Sequence, residues 1–213
     1  MEITWNGYNC FTVKTKGGSL VVDPYASSTG LKLPTLKASV VVLSDESDKN
    51  NDADAVGGEP NVLTWPGEYE VAGIAITALE LLSAGEGKKD ASTKKSMLYS
   101  FDADGLKVCY ISDFGVAITD ELMESIGDVD ILVVPVKGNL EEIHKTIEEI
   151  EPRIVLPIGY KTPGLKLEAG DLEAFLKKVG AGAPKTQEKF SVGARSELPS
   201  EKTEFVVLNP QNA

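Results

Sequence analysis

The chain has 213 residues, 42% hydrophobic and 25% charged, enough apolar material for one large domain with a sizeable core. Thirty-three acids against 21 bases give a formal net charge of −12. That balance argues against nucleic acid and anionic membranes as partners, since both need clustered Lys and Arg, and no apolar run approaches the roughly 20 residues of a membrane span.

Taken in chain order, "EITWNG" (Glu2–Gly7) and "CFTVKT" (Cys10–Thr15) alternate with period two. Gly17-Gly18 then turns the chain into "SLVVDP", predicting a meander of short antiparallel strands. Glu2 sits where a targeting signal would be basic, and no apolar leader follows, so none is expected. "SVVVLS" (Ser39–Ser44) is continuously apolar, as in a strand buried on both faces. "NVLTW", a Pro66-Gly67 turn and the strand run "EYEVAGIAITALELL" come next. Ser83–Ser96, rich in turn and charged residues, reads as a mobile loop. Trp5, Trp65, Tyr69 and Phe101 lie in strand patterns and are expected in the core.

The second half alternates strands with helices. "KVCYIS" (Lys107–Ser112), "VDILVVPV" and "RIVLPI" (Arg153–Ile158) read as buried strands. Thr119, Asn139 and Asp171 are placed to cap "DELMESI", "LEEIHKTIEEIE" and "LEAFLKKVG". In the middle helix Ile143, Ile147 and Ile150 fall on one face, and Pro152 closes it. "KTEFVVLN" reads as a last strand. Meanders in front and strand–helix units behind, with no internal repeat or long linker, predict one layered α/β domain over residues 1–213.

Cys10 and Cys109 each lie in an apolar strand, which suits buried thiols and a reducing cytoplasm better than a disulfide. His144 is the one histidine, so a zinc site rich in His or Cys cannot be built. It sits mid-helix and reads as a helix-surface residue rather than a general base. "DKNNDADAVGGE" (Asp48–Glu59) has oxygen donors at calcium-loop spacing, but Ala53 stands where the sharp turn wants Gly, and strands rather than helices flank it.

The motifs together resemble the metallo-β-lactamase superfamily, in particular its small cytoplasmic branch of metal-dependent hydrolases similar to the ascorbate-phosphate lactonases. The resemblance runs from Ile3 to about Tyr160. It rests on Gly7-Tyr8-Asn9-Cys10-Phe11 in the place of "GHSCF", and on "GGSLVVDPY" (Gly17–Tyr25). "PGEYEV" (Pro66–Val71), "YISDFG" (Tyr110–Gly115) and "PIGYKT" (Pro157–Thr162) complete it. It implies a four-layer αββα sandwich with a groove at one sheet edge.

The metal motif departs from that family position by position. Where relatives carry Ser-His-x-His-x-Asp-His, this chain reads Ser44-Asp45-Glu46-Ser47-Asp48-Lys49-Asn50. The three histidines become Asp45, Ser47 and Asn50, and the metal-binding aspartate becomes Lys49. The next histidine aligns near Ser83, the last is Gly159 before Tyr160, and Tyr8 replaces the usual His of "GHSCF". Asp113 alone is retained.

A catalytic zinc takes about three protein donors and generates hydroxide from its bound water. With the imidazoles gone, no metal cofactor is expected here, where relatives use zinc or manganese. Lys49 is instead expected to pair with Asp113 or Asp45. Tyr8, Asp45, Ser47, Lys49, Asn50, Ser83, Asp113, Gly159 and Tyr160 are the expected pocket. Two functions stay open. One is a non-catalytic binding or partner protein, taking a small-molecule ligand or a protein, with homo-oligomers allowed. The other is a hydrolase of a small phosphorylated or lactone-type substrate, metal-free or using a weakly bound cation on Asp45 and Asp113.

Overall fold

The fold was obtained as a computed structural model that describes residues 1–45, 47, 51–81, 96–114 and 119–211. Two sheets carry it. The first has six strands in the spatial order Phe190–Ser191, Glu2–Gly7, Cys10–Lys14, Ser19–Val22, Val40–Val42 and Asn61–Leu63. The amino-terminal meander pairs antiparallel, and Val40–Val42 then joins Ser19–Val22 and Asn61–Leu63 in parallel. The second sheet has seven strands, in the order Glu204–Phe205, Ile154–Ile158, Ile131–Pro135, Leu106–Ile111, Ser96–Ala103, Ile74–Leu81 and Gly67–Val71. Its first four run parallel and the rest antiparallel.

The sheets face each other across one core. Ile3, Trp5, Phe11, Val13, Leu20, Val22, Val40 and Val42 from the first sheet meet Ile76, Ala78, Phe101, Val108 and Tyr110 from the second. Period-two alternation sends one set of side chains inward, and the other set of the first sheet (Cys10, Val21, Val41) builds a second cluster on its outer face. Tyr25, Leu31, Leu43 and Val56 cover that outer face. Their segments contain the short 3-10 turns Ser27–Thr29 and Ala53–Ala55 and the parallel strand pair Leu36–Lys37 and Val56–Gly57, and no α-helix among the described residues.

Three α-helices follow: α1 (Asp120–Ile126), α2 (Leu140–Ile150) and α3 (Leu172–Lys178). Each is capped by the residue its sequence offers. Thr119 Oγ1, Asn139 Oδ1 and Asp171 Oδ1 accept from the amides of Leu122, Glu141 and Ala174. Ile143, Ile147 and Ile150 bury the inner stripe of α2 in the main core.

Three expectations are corrected. "EYEVAGIAITALELL" is a hairpin, because Ala72 and Gly73 both take left-handed φ (52° and 70°) and turn the chain between Gly67–Val71 and Ile74–Leu81. "KTEFVVLN" is split: Glu204–Phe205 joins the large sheet, while Val207–Leu208 pairs with Thr186–Gln187. Trp65 is not in the core but 66% exposed, because its strand ends at Leu63 and the chain crosses from one sheet to the other through Thr64–Pro66. Trp5 and Phe101 are buried and Tyr69 half-buried, and Cys10 and Cys109 are buried free thiols. No helix among the described residues is long and apolar enough to cross a membrane.

Candidate functional site

The carboxyl ends of four central strands deliver their loops to one edge of the sandwich. Val40–Val42 leads to Ser44 and Asp45, Leu106–Ile111 to Ser112 and Asp113, Ile131–Pro135 to Lys137 and Gly138, and Ile154–Ile158 to Gly159. A cavity of about 180 Å³ opens there, lined by Tyr8, Asn9, Ser44, Asp45, Ser112, Asp113 and Lys137 with Ser96, Pro135 and Gly138. Tyr8 enters from the turn between the first two strands, held at φ 49°, a left-handed conformation that is strained for an aromatic residue.

Beneath the cavity lies Asp23, fully buried at the end of Ser19–Val22 and itself at φ 44°. Ser44 donates to it twice, from its amide to Oδ1 (2.7 Å) and from Oγ to Oδ2 (2.6 Å). Tyr110 Oη donates to Oδ2 at 2.8 Å. Burial pushes the Asp23 carboxyl up to about 7 against these three donors, and the Asp45 charge pushes the same way. Burial, then Asp23, raises the Tyr110 phenol. Tyr8 is raised by burial, then Asp45 and Asp23, so it faces the cavity as a neutral hydroxyl. Tyr99 Oη donates to the Leu43 carbonyl at 2.8 Å, pinning the strand end from the second sheet.

Of the expected pocket residues, Tyr8, Asp45 and Asp113 come together around the cavity. Ser47 is next to it in sequence and folds onto Asp45, its amide donating to Oδ1 at 2.8 Å and its hydroxyl donating to the same oxygen. Lys49, Asn50 and Ser83 lie outside the described residues, as does most of the Ser83–Ser96 loop. Gly159 stands behind Asn9, its amide donating to the Tyr8 carbonyl at 3.0 Å. Tyr160 turns away: its ring packs on Trp5 at 4.4 Å and its hydroxyl donates to the Leu208 carbonyl at 2.7 Å. His144 lines a separate groove of about 770 Å³ beside α2 with Ile147, Lys202 and Phe205.

Asp23, Ser44, Asn9, Ser112 and Lys137 were not singled out by sequence. For Asp23 the signal was present, an acid closing an otherwise apolar strand; Lys137 had none. Lys137 Nζ pairs with Glu168 at 3.1 Å.

The described residues do not fit a dinuclear metal site. Among them no three His, Cys, Asp or Glu side chains gather about one point. The cavity offers two carboxylates, hydroxyls, an amide and an ammonium, without an imidazole. At Gly159 a Cβ would stand 3.0 Å from Asn9 Oδ1 and 3.6 Å from Pro135, on backbone at φ 67°. A side chain there would have to adopt a left-handed conformation and shift the Asn9 amide by a few tenths of an ångström.

A family model described as a beta-lactamase superfamily domain matches residues 2–159. The chain belongs to the metallo-β-lactamase superfamily. It is similar to a UPF0173 protein of Pyrococcus abyssi, 26% identical over 202 residues that cover 84% of this chain and 90% of that one. A UPF0173 metal-dependent hydrolase of Geobacillus sp. is 23% identical over 195 residues, covering 76% and 86%. Among solved structures, a putative Zn-dependent hydrolase of the superfamily from Thermotoga maritima superimposes with a TM-score of 0.79 at 26% identity, covering 99% of each chain. The sandwich is thus that of the superfamily.

Proposed function

We propose that this protein keeps the superfamily scaffold but has lost the dinuclear metal site, and serves as a non-catalytic binding or partner protein. The observation that carries the reading is the donor set of the cavity: Asp45 and Asp113 with hydroxyls, Asn9 and Lys137, and no imidazole. The backbone at Gly159 supports it, since a family ligand there would have to take a left-handed conformation with its Cβ 3.0 Å from Asn9 Oδ1. What remains is a small polar pocket suited to hydrogen-bonding a small ligand.

A second reading is favoured by one observation, that Asp45 and Asp113 line the same cavity. Two carboxylates can hold a hard cation weakly, and relatives are named as metal-dependent hydrolases. The resemblance to the ascorbate-phosphate lactonases makes a small phosphorylated or lactone-type substrate the one to test. Melting temperature with and without added Mn²⁺, Mg²⁺ and Zn²⁺ separates the two. A cation that binds only the folded chain stabilises it by about 2.7 kcal/mol at 100 times its Kd. The non-catalytic reading expects no shift. A clear shift, together with phosphodiester or lactone turnover lost in Asp113→Ala, would establish the hydrolase instead.

A further inference from the structure

From Asn51 to Leu81 the chain carries six acids (Asp52, Asp54, Glu59, Glu68, Glu70 and Glu80) and no Lys, Arg or His. The same stretch holds the large hydrophobic side chains that stand exposed among the described residues, Val62 at 46% and Trp65 at 66%. It also contains both sheet edges of one flank. Among the described residues Asn61–Leu63 ends the first sheet and Gly67–Val71 ends the second, with only Thr64, Trp65 and Pro66 between them. An edge strand leaves a row of backbone N–H and C=O groups open to another strand.

We propose that this flank docks a basic, extended segment of a partner protein, which adds to Gly67–Val71 as a further strand with Lys or Arg beside Glu68 and Glu70 and an apolar side chain on Trp65. The edge alternates: Glu68 and Glu70 are exposed, while Tyr69 and Val71 turn inward and pack against the main core. An added strand therefore meets acids on one face and apolar surface on the other, and the segment that matches it alternates basic with apolar residues. Tyr69 Oη donates to the Trp65 carbonyl at 3.1 Å, fixing the backbone where the edge begins.

A second copy of this chain fits less well. Two-fold antiparallel pairing about Tyr69 would set Glu68 opposite Glu70 of the other copy, and like charges directly opposite destabilise.

The test uses the full chain and a capped peptide of alternating lysine and valine, with an aspartate–valine peptide as control. Binding is followed by tryptophan fluorescence, Trp5 being buried and Trp65 exposed, and by amide hydrogen exchange over residues 67–71. The basic peptide is expected to bind, to slow exchange at this strand, and to bind about tenfold more weakly to the Glu68→Lys/Glu70→Lys variant. Both substitutions are at exposed positions, and an unchanged melting temperature checks that the fold is kept. The proposal is overturned if the basic peptide does not bind, if the acidic one binds as well, or if binding leaves exchange at 67–71 unaltered. A concentration-dependent dimer dissolved by Trp65→Asp would overturn it too, because a second copy would then occupy this face.

Discussion

Asp23 offers the sharpest quantitative test of how the site is built. Its carboxyl is fully buried and raised from the ordinary 3.8 to about 7. The folded chain therefore holds this proton more tightly than the unfolded chain. The stabilisation is complete below about pH 4 and is lost as pH rises, being gone above about pH 7. At 1.36 kcal/mol per pH unit, a rise of about 3 corresponds to about 4 kcal/mol, of which about 3 kcal/mol falls between pH 5 and pH 8.

Asp23→Asn removes the titration while keeping the shape, since its amide can accept from the Ser44 N–H and donate to the Ser44 and Tyr110 oxygens. Urea unfolding of both proteins at pH 5 and pH 8 provides the comparison, other titrating groups cancelling between them. The natural protein is expected to lose about 3 kcal/mol more than the variant on going to pH 8. Parallel losses, agreeing within about 0.5 kcal/mol, would refute a buried carboxyl that protonates near neutrality.

The two tryptophans should behave oppositely on truncation. Trp5→Ala removes a buried ring whose Nε1 donates to the Tyr8 carbonyl at 2.8 Å and is expected to cost about 3–5 kcal/mol in urea unfolding, whereas Trp65→Ala should change stability by less than about 0.5 kcal/mol. Gly159→His, which places the family's imidazole in this sequence, should lower stability by about 1–2 kcal/mol and leave metal content unchanged, measured on one preparation. Burial pushes the Cys109 thiol up to about 12 and raises Cys10 as well, so neither should react with a thiol reagent at pH 8 until urea unfolds the chain.

Strand period, cap residues and the continuously apolar runs were enough to place most strands and the three helices, because those features act locally or through burial on both faces. The pairing of the sheets was implied by the family resemblance. Thr119, Asn139 and Asp171 each cap the helix their position announces. The site was only partly legible. Asp45 and Asp113 stand at strand ends where the family motif puts them, and the face-to-face stacking of the two sheets carries both to one edge. Tyr160 was placed in the pocket by the family motif, whereas in the structure it follows Gly159 at φ 67° and packs its ring on Trp5. Lys137 was invisible because its approach to the cavity depends on which strands neighbour one another. Trp65 carries strand-like neighbours, yet the chain is leaving one sheet for the other there, and periodicity has no term for a crossing.

The central claim, that the scaffold has parted with its metals, is tested most directly by elemental analysis of the protein purified from cells grown with added zinc, manganese and iron. Substoichiometric metal is expected, unchanged by Asp45→Asn or Asp113→Asn. One or more equivalents of any of the three, lost in those variants, would contradict it.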